Sequence, residues 1–326
     1  MSAPAHTRTA YLHMLWGSCA FALMGAFSHL AGERCDWQFV AVARALVAFA
    51  ISLAIARASG VRLVLWEPRI LWLRSVAGSI GLICCFYALT HLPISDAVTL
   101  TNTSSIWVTL LCWLALGERP AKSVLLAVSA GVTGVVLIQQ PHFQSGKVAC
   151  LFALLNAFFT AIAMLGLNRL HRVDPRAVVA HFSGVSSVAT ILFVLVTARD
   201  ARIEQLSNGP TLLLLFMVGA MGVLGQIGMT MAFARGPAAR VSVVSLSQIL
   251  FGFLLDLLIW QRAINLVSVV GMFLVVAPTA WLLLHNPLRR DARLLAAQAE
   301  PAGDALIEML PAPYASTQEV RCSEGD

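Results

Sequence analysis

From Tyr11 to Leu284 the chain is a succession of apolar stretches, separated by short joints that hold most of its charged residues, glycines and prolines. In hydrocarbon every backbone N–H and C=O must be satisfied internally, so only helices and closed barrels cross a bilayer. A barrel strand needs about ten residues of alternating polarity, whereas a spanning helix needs about twenty that are apolar throughout. These stretches have the second character. Composition agrees, since 59% hydrophobic and 12% charged residues fall well short of the roughly one-quarter charged content of soluble domains. The expected fold class is an all-α polytopic membrane protein.

Cutting at the joints gives ten spans: 11–31, 38–57, 69–90, 95–116, 121–139, 147–168, 177–197, 211–234, 238–259 and 264–284. Arg8 precedes the first in the manner of a signal peptide. That span is long for a signal h-region and leads straight into a second, so a retained helix is expected. The tail from 285 to 326 carries Arg289, Arg290 and Arg293 and then turns acidic and rich in Pro and Ala, which predicts a mostly flexible segment. Counting lysine and arginine in alternate loops gives fourteen on the side of Arg8, Arg57 and Arg119, and five on the side of Arg34 and Lys147. The positive-inside rule then predicts both termini in the cytoplasm and residence in the cytoplasmic membrane.

The segment from Arg74 to Pro120 recurs. Sliding the sequence by 144 positions lays Gly78 on Gly222, Gly81 on Gly225, Ala88 on Ala232 and Pro93 on Pro237, and a leucine row at 110, 111 and 114 on 254, 255 and 258. This is an internal duplication. The domain plan is a cytoplasmic N-terminus 1–10, a first five-helix unit 11–139, a second 147–284 and the tail 285–326. Five helices per unit is an odd number, so the second copy is expected upside down, as in secondary transporters whose halves rock around a midplane site.

Other function classes fit poorly. The formal charge of +6 is scattered singly and forms no basic patch interleaved with aromatics, so no nucleic-acid partner is expected. Seven cysteines show no metal-ligand or redox spacing, and neither a metal nor another cofactor is expected. No H-E-x-x-H, G-x-S-x-G or phosphate-binding G-x-x-x-x-G-K motif occurs. The reading is a non-enzyme carrier driven by a gradient, with a membrane-embedded transferase acting on a lipid-linked substrate as the alternative. Its partners are the lipid bilayer, a small organic solute and, for a coupled carrier, protons; a homodimer is compatible with it.

The run "YALTHLPISDAVTLTNTSSIW" ending in "LGERP", its echo "MAFARGPAARVSVVSLSQILFGFLLDLLIWQ", and Arg44 within "VARALVAFA" resemble the EamA branch of the drug/metabolite transporter superfamily over residues 11 to 285. The resemblance implies two inverted five-helix repeats that move small organic solutes, with spans 3, 4, 8 and 9 around a central cavity. The sequence departs from the pattern at Gln261, where the first copy has Glu118.

Polar residues inside the spans are the candidate site. Arg44 sits two turns into the second span, where it attracts an anionic or polar substrate group, or else snorkels outward or caps the carbonyls of a neighbouring helix. Arg74 lies near the start of the third, where interfacial snorkelling is expected. Asn102 and Thr103 in the fourth span, and Ser245 and Gln248 in the ninth, form polar stripes that read equally as a cavity wall or as interhelical hydrogen-bonding. Tyr87 and Trp107 offer faces for a planar solute. Asp256, one turn inside the end of the ninth span, is the proton-coupling candidate, the alternative being a pair with Arg262. Asp96 suits a helix N-terminus, and the glycines at 78, 81, 222 and 225 suit close approach of helices.

Overall fold

A computed structural model describes residues 3–66, 68–92, 94–116, 119–140, 147–197, 208–261 and 265–284. Pro93, Glu118, Arg262 and the segment 285–326, on which parts of the sequence reading rest, lie outside them. Every regular element among the described residues is helical: α1 (Ala3–Gly32), α2 (Trp37–Ala58), α3 (Arg69–His91), α4 (Ile94–Asn102), α5 (Ser104–Leu116), α6 (Lys122–Gln139), α7 (Lys147–Arg169), α8 (Pro175–Thr197), α9 (Gly209–Arg235), α10 (Ala238–Ser245), α11 (Ser247–Trp260) and α12 (Leu266–Leu284). Among the described residues nine spans, with α4–α5 and α10–α11 each counted as one, are long and apolar enough to cross a membrane, and α12 supplies a shorter apolar helix. Polarity is distributed inside out relative to a soluble protein. Leu126, Leu195, Leu258, Leu266 and Phe273 are exposed, while Arg44, Arg74, Asp96, Ser75 and His181 are buried, which suits a hydrocarbon surround.

The expected spans are present, with one difference. The fourth and ninth are each interrupted by a single residue, Thr103 and Leu246, one position away from repeat equivalence. Neither Gly nor Pro causes the interruption. At both points the ladder tightens, with Thr103 N–H donating to Leu100 O and Leu246 N–H to Val243 O, each at 3.2 Å. Local side chains dress the carbonyls on the preceding turn: Thr103 Oγ1 donates to Leu100 O at 2.6 Å, Asn102 Nδ2 to Val98 O at 2.8 Å and Ser245 Oγ to Ser242 O at 2.7 Å. Short side chains that bond back to the helix compete with its own ladder and loosen it.

Helices from the two halves interdigitate. α1 packs on α9, α3 on α7, α2 on α8 and α9, α3 on α8, and α6 on α12. Glycines set the closest approaches. A Cβ at Gly228 would lie 2.8 Å from His13 O and 2.9 Å from Gly17 Cα, so α1 and α9 touch backbone to backbone; Gly134 and Gly271 bring α6 and α12 together in the same way. The glycines singled out from the repeat accommodate side chains instead: Gly225 takes the Phe21 ring, Gly78 the Phe182 ring, and Gly81 faces Thr160 and Asn156.

At the end of the bundle that holds the start of α1, Tyr11, Met14, Leu71, Leu167, Leu170, Phe233 and Val241 belong to one buried apolar cluster. Asn168 reinforces that end, donating from Nδ2 to Phe233 O in the last turn of α9 at 2.9 Å and to Gly236 O just beyond it at 3.0 Å. The ninth span closes without the glutamate of the first: Gln261 adopts a left-handed conformation (φ 50°) and its N–H bonds to Asp256 O, capping α11.

Candidate functional site

A cavity of about 1440 Å³ occupies the middle of the bundle. Its wall runs from Met14, Met164 and Met229, which also belong to the sealing cluster, to the helix ends at Gly32, Trp37, Gln139 and Trp260. It is therefore closed by packed side chains at one end and reaches the loops at the other. Both broken spans contribute: Asn102 and Ser104 flank the first interruption, and Ser245 and Gln248 the second. The breaks are tied directly, because Ser105 Oγ donates to Ser242 O at 2.9 Å.

Of the residues expected to touch solute, Arg44, Asn102, Ser245 and Gln248 lie on this wall, as does Asp256. Arg44 is buried, with Nε 3.1 Å from the sulfur of Met24. Asn102 and Ser245 face both ways in function, since each lines the cavity while bonding back to its own helix.

Three other candidates are placed elsewhere. Tyr87 stacks on His91 with centroids 4.1 Å apart and lies 4.3 Å from the Phe152 ring; Trp107 packs edge-on against Phe158 at 5.3 Å. Thr103 spends its hydroxyl on Leu100 O. None of the three lines the cavity. Asp96 is fully buried in the first turn of α4, the position its charge suits.

Arg74 departs from the expectation of snorkelling. It is 1% exposed, donates from Nη2 to Gln226 Oε1 at 2.8 Å, and its guanidinium carbon lies 3.9 Å above the Phe182 ring. The side chain runs toward the bundle centre rather than back to the helix start, with Nη1 3.6 Å from where a Cβ of Gly78 would sit. Glycine four residues on clears that groove. Gln226, absent from the sequence candidates, sits among Gly222, Gly225 and Gly228 on α9. A glycine at i+4 from an intramembrane arginine, and a lone amide in a glycine-rich helix, were the signals available.

Among the described residues no group of three or more His, Cys, Asp or Glu side chains is arranged to hold a metal ion. The cavity is a mostly apolar pocket that carries a few convergent polar and charged groups, suited to holding and releasing a small solute.

Comparison with known proteins agrees with this geometry. The chain is 27% identical over 271 residues to the pseudopaline exporter CntI of Pseudomonas aeruginosa, covering 82% of this chain and 94% of that protein. It is 27% identical over 253 residues to a riboflavin transporter of Vibrio cholerae, covering 74% and 81% respectively, and 24% identical over 219 residues to human solute carrier family 35 member G1, covering 63% and 59%. A solved crystal structure shares the fold with a TM-score of 0.70 at 18% identity, over 85% of this chain and 95% of that one. These relatives are named for export, transport or solute carriage, which gives the lipid-linked transferase alternative no support. The EamA-like transporter family matches residues 8–140 and again 147–284, and this chain is an integral membrane solute transporter that belongs to that family.

Proposed function

We propose that the protein is a secondary carrier that works by alternating access between two inverted five-helix repeats, 11–139 and 147–284, with the central cavity as the solute pathway. The observation that carries this reading is the cavity itself, sealed by the cluster around Met14 and Phe233 at one end and continued to the helix ends at the other. Helix pairing supports the repeat. Exchanging the first five spans for the second five turns α1 on α9 into α7 on α3, and leaves α2 on α8 and α6 on α12 paired as they were. The two family matches fall on the two halves.

In this reading the carrier lies in the cytoplasmic membrane with both termini inside, as the fourteen-to-five distribution of basic residues favours. The cavity then faces outward. Asn102 and Gln248 contact solute from the two broken spans, Asp256 exchanges the coupling proton, and a homodimer is the proposed assembly. Flux into proteoliposomes made from the purified chain tests the whole. Solute should accumulate chemically unchanged and respond to an imposed pH gradient; recovery of a chemically altered product would rule the carrier out.

A further inference from the structure

One face of α9 brings two arginines to successive turns. A Cβ at Gly222 would lie 3.7 Å from Arg44 Nε, and Gln226, four residues on, accepts from Arg74. Both guanidiniums belong to the cavity lining, with the Met24 sulfur beside Gly222 and the Phe182 ring over Gly78 packed against them. Both side chains are more than nine-tenths buried.

Arginine has five N–H donors and keeps its charge in proteins. Their partners here are meagre: a thioether for Arg44, one amide oxygen and a ring face for Arg74. Nε and Nη1 of Arg74 are buried and have no acceptor among the described residues. Among the described residues neither arginine has a carboxylate within 4.0 Å. Glu33, Asp36 and Asp256 line the cavity nearer the helix ends, and Glu33 is 3.7 Å from His29. A pair of buried cations with free donors and no anion beside them is costly to keep and is matched by an anion that enters from outside.

Taking the cavity as the carrier's solute pathway, we infer that Arg44 and Arg74 form its anion-binding subsite and that the solute is a small organic molecule bearing a carboxylate, which enters acid end first. The carboxylate accepts from Nε and Nη1 of Arg74 and from the guanidinium of Arg44. Where the solute also carries an amine, that amine faces the acids toward the mouth.

Thermal unfolding of the purified full chain is measured with succinate, glutamate and citrate, with the uncharged diamide of succinate, and with chloride and phosphate. At least one carboxylate should raise the midpoint, while the diamide and the inorganic anions should not. Arg44→Gln and Arg74→Gln should each weaken that carboxylate about tenfold or more, and Arg74→Lys less. A larger response to glutamate than to succinate assigns a zwitterion, and the reverse a free acid; both support the subsite. The inference is overturned if no carboxylate acts, if the diamide or an inorganic anion acts as strongly, or if Arg44→Gln binds like wild type. Should Arg74→Gln not fold, Arg44→Gln decides. Flux separates the two readings: carboxylate binding without uptake removes the carrier and leaves the subsite, whereas uptake with an unchanged KM in Arg44→Gln removes the subsite and leaves the carrier.

Discussion

Arg74 and Gln226, 152 residues apart in sequence, meet through a single 2.8 Å hydrogen bond that joins α3 of the first half to α9 of the second. Gln226→Leu strips the arginine of that acceptor, and leaving a buried charged donor unmet costs about 1–3 kcal/mol or more. Gln226→Glu instead supplies a counter-charge in place. The first variant should lower the midpoint of thermal unfolding and the second raise it, while the second should also abolish carboxylate binding by occupying the arginine from within. A Gln226→Leu protein as stable as wild type would show the contact to be incidental.

Gly228 and Gly252 make a controlled comparison. A methyl group at 228 meets backbone atoms of α1 at 2.8 and 2.9 Å, whereas nothing lies within 4 Å of one at 252. Gly228→Ala should therefore destabilise by roughly 1–3 kcal/mol through overpacking, and Gly252→Ala should be neutral or slightly stabilising by helix propensity. Unfolding in detergent reads both; equal effects would mean that α1 and α9 are not in backbone contact.

The hydroxyl of Ser105 is the direct tie between the two broken spans. Ser105→Ala should cost only about 0.6 kcal/mol of stability, the average for such bonds in membranes, yet it frees the two breaks to move apart. Transport rate should change more than solute affinity, as a split between Vmax and KM in proteoliposomes. A change confined to KM would place Ser105 in solute binding instead.

Asn102→Ala and Gln248→Ala remove amides that the two broken spans contribute to the cavity lining. Solute affinity should fall in both, and more for Gln248, because Asn102 already gives one N–H to Val98 O. If both variants keep wild-type affinity, these amides serve the helix breaks alone.

Asp256→Asn keeps the shape of the side chain and removes its ability to ionise. Uptake should continue down a solute gradient but lose its dependence on the pH gradient. An unaltered pH profile would move the coupling role away from this residue.

The spans were legible because a twenty-residue apolar stretch has one solution in lipid, and their ends fell where charges and prolines stood. The interruptions were not, since Thr103 and Leu246 carry no Gly or Pro signal; the clue lay in the clusters of Ser, Thr and Asn around them, whose bonding to the backbone two turns of sequence alone do not reveal. Arg44 was legible as an intramembrane charge. Arg74 is not legible in the same way: its nearness to the helix start favours snorkelling, while its partner and its ring lie on α9 and α8, far away in the chain. Tyr87 and Trp107 looked available for stacking until neighbouring rings on α3 and α7 proved to occupy their faces and edges.

The tightened turn at Leu246 makes α11 a rod of 14 residues with a joint at its buried end and Trp260 at its tip, on the rim of the cavity. Such a rod is about 21 Å long, and tightened turns inside helices are recurrent pivots. Tilting it by about 10° would carry the tip roughly 3–4 Å. A small rotation at this buried joint is thereby geared up into a rim movement on the scale of a water molecule, with α10 left in place.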